Sequence, residues 1–216
     1  MMFRTRALPV LAATAVLAAC AGKGELVIDQ GIGITSVLST CPAVGIPDYT
    51  GDITIFRPGA DRSMASLDVS GAITNLRATC NDTGAQVYSE ANFEVHARRT
   101  DTRGARTVTL PYFVTVLRGG SAVVSKRVGE VTLTFADGQE RAVASAKAAS
   151  YVDRAEASLP ADIREKITRR RRPGEIDAAL DPLADPEVKA AIARTRFEML
   201  VGFQLTEEQL AYNVTR

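Results

Sequence analysis

Gln86-Val87-Tyr88-Ser89-Glu90-Ala91-Asn92-Phe93-Glu94-Val95-His96-Ala97-Arg98 is the stretch that decides the fold class. Val87, Ser89, Ala91, Phe93, Val95 and Ala97 alternate with Gln86, Tyr88, Glu90, Asn92, Glu94, His96 and Arg98, a period of two. Successive side chains of an extended strand point to opposite faces, so the first set turns inward and the second outward. Val108, Leu110, Tyr112, Val114 and Val116 repeat the pattern, with Pro111 implying an edge or a bulge. Gly119-Gly120 then turns the chain into Ala122–Phe135, where Val131, Leu133 and Phe135 share a face and Gly129 suggests a bulge. Asp137-Gly138 is a strong hairpin signal. It favours a strand over a helix for the Ala-rich alternation of 140–150. Upstream, Asp52–Arg57 lies between Gly51 and Pro58-Gly59, and Ala72–Cys80 places Leu76, Ala78 and Cys80 on one face. Six to eight such strands predict a mainly β protein, an antiparallel β-sandwich of immunoglobulin-like or fibronectin-like architecture.

After about residue 158 the period changes. Leu159, Ile163 and Ile167 follow at i, i+4, i+8 around Pro160, which suits a first helical turn. Asp185-Pro186 reads as an N-cap and first-turn proline for a helix through Val188 and Ile192. Thr206-Glu207-Glu208-Gln209 reads as a capping box for a short terminal helix. Between these last two, Phe197, Met199, Val201 and Phe203 alternate as a strand returning to the sandwich, which makes 158–196 a helical excursion. A continuous helix through Met199, stopped at Gly202, is the alternative.

The chain has 26 Lys and Arg against 25 Asp and Glu, one His, three Cys and no Trp among 216 residues. Its 46% hydrophobic content is that of a globular protein. Near-neutral charge removes the simplest electrostatic case for a nucleic-acid partner.

Arg4 and Arg6 precede an uncharged run from Ala7 to Leu17, ending in Leu17-Ala18-Ala19-Cys20. The run is too short to span a bilayer, and the segment reads as an export signal. Leu17–Cys20 resembles the lipobox of bacterial lipoproteins, and the resemblance covers only this first tenth of the chain. It implies cleavage before Cys20, lipid on its sulfur and, with Ala21 rather than Asp following, an outer-membrane protein facing the periplasm. Ordinary secretion is the competing reading, since Ala19-Cys20-Ala21 also fits a small-x-small cleavage rule. The expected organisation is a signal peptide over 1–19, a lipidated tether over 20–25 and one sandwich domain over 26–216. With Cys20 lipidated, Cys41 and Cys80 remain as an even pair, read as a disulfide in an oxidising compartment. Two buried thiols are the alternative.

No grouping of residues announces catalysis. His96 falls on the polar face of its strand beside Glu94 and Arg98, without a G-x-S-x-G elbow. No Cys/His cluster suggests a metal, Gly31-Ile32-Gly33 lacks the rest of a dinucleotide fingerprint, and no cofactor is expected. Two surfaces remain as interaction candidates. One is the Gly/Pro-rich loop 41–51 with Asp48 and Tyr49. The other is Arg169-Arg170-Arg171-Arg172, where a local +4 over 160–172 abuts a local −5 over 173–187. Such a run suits anionic head groups or an acidic envelope partner, or pairs with its own neighbouring carboxylates. Asn81-Asp82-Thr83 and Asn213-Val214-Thr215 are formal glycosylation sequons, the first read as turn chemistry. The functional expectation is a membrane-anchored, non-enzymatic binding or scaffold module. The alternative is an envelope hydrolase assembled around His96.

Overall fold

The computed structural model of the chain describes residues 38–59 and 61–215. The readings of the export signal, Cys20, the tether, Leu26–Ile28 and Gly31–Gly33 lie outside the described residues. By their contacts, the described residues up to Arg169 and from Asp181 onward belong to one unit, and Arg170–Leu180 fall in another.

Eight strands make two four-stranded sheets. The first orders β2 (Asp52–Phe56), β3 (Leu67–Asn81), β4 (Gln86–Arg99) and β7 (Arg141–Asp153), antiparallel throughout. The second orders β1 (Ala43–Gly45), β8 (Phe197–Phe203), β5 (Arg106–Arg118) and β6 (Ala122–Phe135). Its β1–β8 pair is parallel, the one departure from the antiparallel expectation among the described strands. The result is the β-sandwich that the alternating pattern predicts. The deciding stretch forms β4, and Val87, Ser89, Ala91, Phe93, Val95 and Ala97 are all buried. Of these, Ala91, Phe93, Val95 and Ala97 meet Leu110, Val131, Leu133, Phe135, Met199, Val201 and Phe203 from the facing sheet in the main core. Residues 140–150 are strand, as the hairpin signal suggests, and 197–203 return between β1 and β5.

Three local expectations need correction. Gly129 does not bulge: β5 and β6 stay in register through Tyr112↔Gly129, and the irregularity falls at Val116/Leu117. The glycine makes room, because a Cβ there would sit 2.6 Å from the Tyr112 ring. That ring stands edge-on to Phe93 and its hydroxyl donates to the Lys147 carbonyl at 2.9 Å, tying the two sheets at their β6–β7 margin. Pro111 also carries no bulge, and β5 is a central strand. Its ladder with β8 runs only from Arg118 to Tyr112, so the proline sits where β5 is locally an edge. Ala72–Cys80 is not one uninterrupted face, since the β3–β4 register shifts between Thr74 and Arg77 with Asn75 at φ 52°. Ala78 and Cys80 consequently lie exposed.

Among the described residues four α-helices complete the fold: α1 (Arg154–Ala157), α2 (Ala161–Thr168), α3 (Pro186–Thr195) and α4 (Glu207–Thr215). Asp185 caps α3 by accepting from the Glu187 N–H at 2.8 Å. The Thr206–Gln209 capping box opens α4 reciprocally, at 2.9 and 3.2 Å. Ile163 and Ile167 of α2 bury against Val188 and Ala191 of α3 in a satellite core, with Leu159, Leu183 and Ile192 at its margin.

Candidate functional site

Arg99 closes β4 and is completely buried. Its Nε donates to the Gln139 carbonyl, Nη1 to Gly104, and Nη2 to Thr102 and Ala136, all between 2.8 and 2.9 Å. The guanidinium also lies 5.3 Å from the Phe135 ring centroid. Nearby, Arg106 grips Asp68 through two bonds of 2.6 and 2.7 Å, which hold the Asp68 carboxyl below its ordinary range. This end of the sandwich is a closed structural lock. Sequence reading passed over Arg99, because a single arginine at a strand end looks like an ordinary solvated residue.

The other end carries the disulfide. Cys41 and Cys80 are bonded, with Cα atoms 6.1 Å apart, as the cysteine count predicts. Beside it Val87, Val116, Val152, Ala157 and Phe197 form a small cluster. The loop beyond Cys41 is built around a turn in which the Thr50 N–H and hydroxyl both donate to the Pro47 carbonyl. Asp48 and Tyr49 are exposed on it, and Tyr49 adopts φ 64°, a left-handed conformation uncommon for a bulky residue. The buried Asn213 amide of α4 holds this geometry, donating to the Tyr49 and Asp52 carbonyls at 2.8 and 2.9 Å. Asn213 therefore serves the fold, and its sequon is closed to modification. Asn81 makes the anticipated turn by accepting from the Thr83 N–H at 3.0 Å.

His96 lies on the outer face of β4, half exposed, with Nε2 3.2 Å from the Glu94 carboxylate on its own strand. An open trough of about 440 Å³ runs over the small residues Ser70 and Ala72 of β3. His96, Arg98 and Arg141 rise on one side, Asp52 and Thr54 on the other. The ladder sets Asp52 opposite Ala72 and Ala72 opposite His96, so their Cα atoms stand two strand spacings apart, about 10 Å. Neither the Ser70 nor the Thr54 hydroxyl bonds the imidazole, so the trough presents no nucleophile–base pair.

The arginine run divides. Arg169, Arg170 and Arg172 are exposed, whereas Arg171 is 3% exposed and its Nε lies 3.3 Å from the Asp177 carboxylate. As an accessible interaction residue Arg171 is thus ruled out: its charge serves the neighbouring acidic block. Lys166 and Asp185 pair across the same charge boundary, which holds the Asp185 carboxyl below its usual range.

An apolar concavity lies at the disulfide end and was not anticipated. A pocket of about 460 Å³ opens between α2, α3 and the segment leading to Cys41. Leu38, Leu159, Ile167, Leu183 and Ile192 line it, with Arg164 and Arg196 beside them. Among its hydroxyls, Ser158 donates to the Arg154 carbonyl, Thr168 to Arg164, and Thr195 to Ala191 and Ile192, while Thr40 donates to the Asp82 carboxylate and Ser39 accepts from the Cys41 N–H. The two guanidinium groups have no hydrogen bond or ion pair among the described residues. The i, i+4, i+8 spacing of Leu159, Ile163 and Ile167 was a readable trace of this apolar wall, but the arginines carry no local signature. Comparisons of this chain with protein-family models, with curated proteins and with solved structures return no match.

Proposed function

We propose that the chain is a membrane-anchored cell-envelope lipoprotein whose sandwich acts as a non-enzymatic binding module. Its binding site is the apolar pocket at the disulfide end. The anchor rests on Leu17-Ala18-Ala19-Cys20, and the paired Cys41 and Cys80 suit the oxidising compartment to which such a signal leads. The observation that carries the binding role is the pocket itself: apolar walls, two unpaired cations and a volume within the roughly 300–1,000 Å³ of small-molecule sites. The trough at His96 is the weaker candidate for chemistry, since its imidazole engages Glu94 instead of a hydroxyl.

Intact-mass measurement of the protein from the membrane fraction tests the anchor. The expected mature chain begins at Cys20 and carries the added mass of at least two acyl chains, the number that gives stable attachment. Cys20→Ala should remove that mass and the membrane association. A mature chain with an unmodified Cys20, or one beginning beyond it, overturns the lipoprotein reading.

A further inference from the structure

We infer that the pocket between α2 and α3 takes a long-chain fatty acid, its acyl chain on the apolar wall and its carboxylate between Arg164 and Arg196. This rests on the binding-module reading above and names its ligand class. The walls come from Leu159, Ile167, Leu183 and Ile192, which exclude a strongly hydrated ligand. Ser158, Thr168 and Thr195 donate to helical carbonyls, Thr40 donates to Asp82, and the exposed Ser39 hydroxyl accepts from the Cys41 N–H. The charged side chains of the lining, Arg164 and Arg196, are both cationic. Both arginines are exposed at their helices, one in the first half of α2 and one just past α3, so a carboxylate can reach them without being fully dehydrated. Arginine suits this task because its planar fork pairs with both oxygens of a carboxylate.

Volume selects among amphiphiles. At the roughly 30 Å³ that a water-sized group occupies, 460 Å³ has room for about fifteen such groups, the size of one acyl chain. Leu38 lines the same pocket, and Cys20 lies 18 residues before it in the sequence, a reach of about 60 Å at full extension.

The test uses the full-length protein in isolated envelopes and a palmitate analogue carrying a mid-chain diazirine, with the matching long-chain alcohol in parallel. After irradiation, cross-linked peptides are mapped by mass spectrometry. The acid should label the peptides that contain Leu159, Leu183 and Ile192, at least tenfold more than the alcohol does. The double variant Arg164→Gln/Arg196→Gln should lose that tenfold preference and keep the melting temperature of the wild type, as both side chains are exposed. Leu183→Trp should block labelling by both probes. Equal labelling by acid and alcohol, a double variant that labels like the wild type, or label confined to residues 21–37 would overturn the inference, the last because the chain's own segment would be the occupant. The intact mass of the same samples reports the anchor separately. A labelled pocket on an unlipidated chain defeats only the anchor, and an unlabelled pocket on a lipidated chain defeats only the ligand.

Discussion

The two ends of the sandwich are closed by opposite means. At the end where β4 stops, four backbone carbonyls from two loops converge on one buried guanidinium, and no covalent bond is used. At the end where β3 stops, a disulfide does the joining, and beside it helices α2 and α3 bury a satellite core of four residues. The first arrangement leaves no room for a guest. The second tolerates a concavity, because its stability comes from a cross-link and a small separate core and not from continuous packing. Closure by polar convergence gives rigidity, while closure by cross-link leaves space that binding can use.

Breaking the arginine end should have the largest effect. Arg99→Met keeps much of the side-chain bulk but leaves the Thr102, Gly104, Ala136 and Gln139 carbonyls without their donor. Each buried acceptor left unpaired costs about 1–3 kcal/mol, and loosening of the loops returns part of that. A loss of about 5 kcal/mol is expected in urea unfolding of the oxidised protein. A loss under 1 kcal/mol would mean that the loops hold themselves. The disulfide end should yield somewhat less. Replacing Cys41 and Cys80 with Ala opens a loop whose ends are 39 residues apart, which chain entropy values at about 4 kcal/mol. Hydrogen exchange should then rise in α2, α3 and the start of β4 before it rises around Arg99. Uniform exchange in the variant would erase the distinction between the ends.

The smallest effect sharpens the comparison through pH. Arg106 depresses the Asp68 carboxyl below its unfolded value, so the pair stabilises the fold above about pH 4, the ordinary carboxylate range. That contribution fades as pH falls through the native value. Asp68→Asn should cost about 1 kcal/mol at pH 7, and its gap to the wild type should narrow as pH falls through the native value. Thermal melts between pH 2 and 7 measure this directly. A constant gap across that range would show that the carboxylate charge is not what Arg106 reads.

Legibility followed periodicity. β4 announced itself because six inward residues alternate without a break and are all buried, and the disulfide followed from cysteine parity. Caps at Asp185 and Thr206 were readable because they act within three residues of sequence. What escaped were groups whose meaning is set by distant neighbours. Arg99 looks like any strand-end arginine until residues about 40 positions later bring their carbonyls to it. Gly129 looked like a bulge because the Tyr112 ring that needs its space lies 17 residues earlier on the neighbouring strand. Arg171 was read with its three neighbours as one basic run, and only the fold shows that it is the buried member, with Asp177 turned back against it. Arg164 and Arg196 were visible as charges, and only the pocket gives them a common purpose.

Arg99 also fixes the order in which acid dismantles the molecule. Arginine keeps its proton at every pH a protein survives, and carbonyl oxygens have none to gain, so acidification leaves that junction chemically unchanged. Asp68, on the neighbouring strand, loses its charge as the proton concentration climbs. Acid therefore releases the Asp68–Arg106 clasp on β3 and β5 while the turns around Arg99 stay fastened. The first intermediate on acidification should keep the β6–β7 connection native and let β2 and the start of β3 peel away from the sheet.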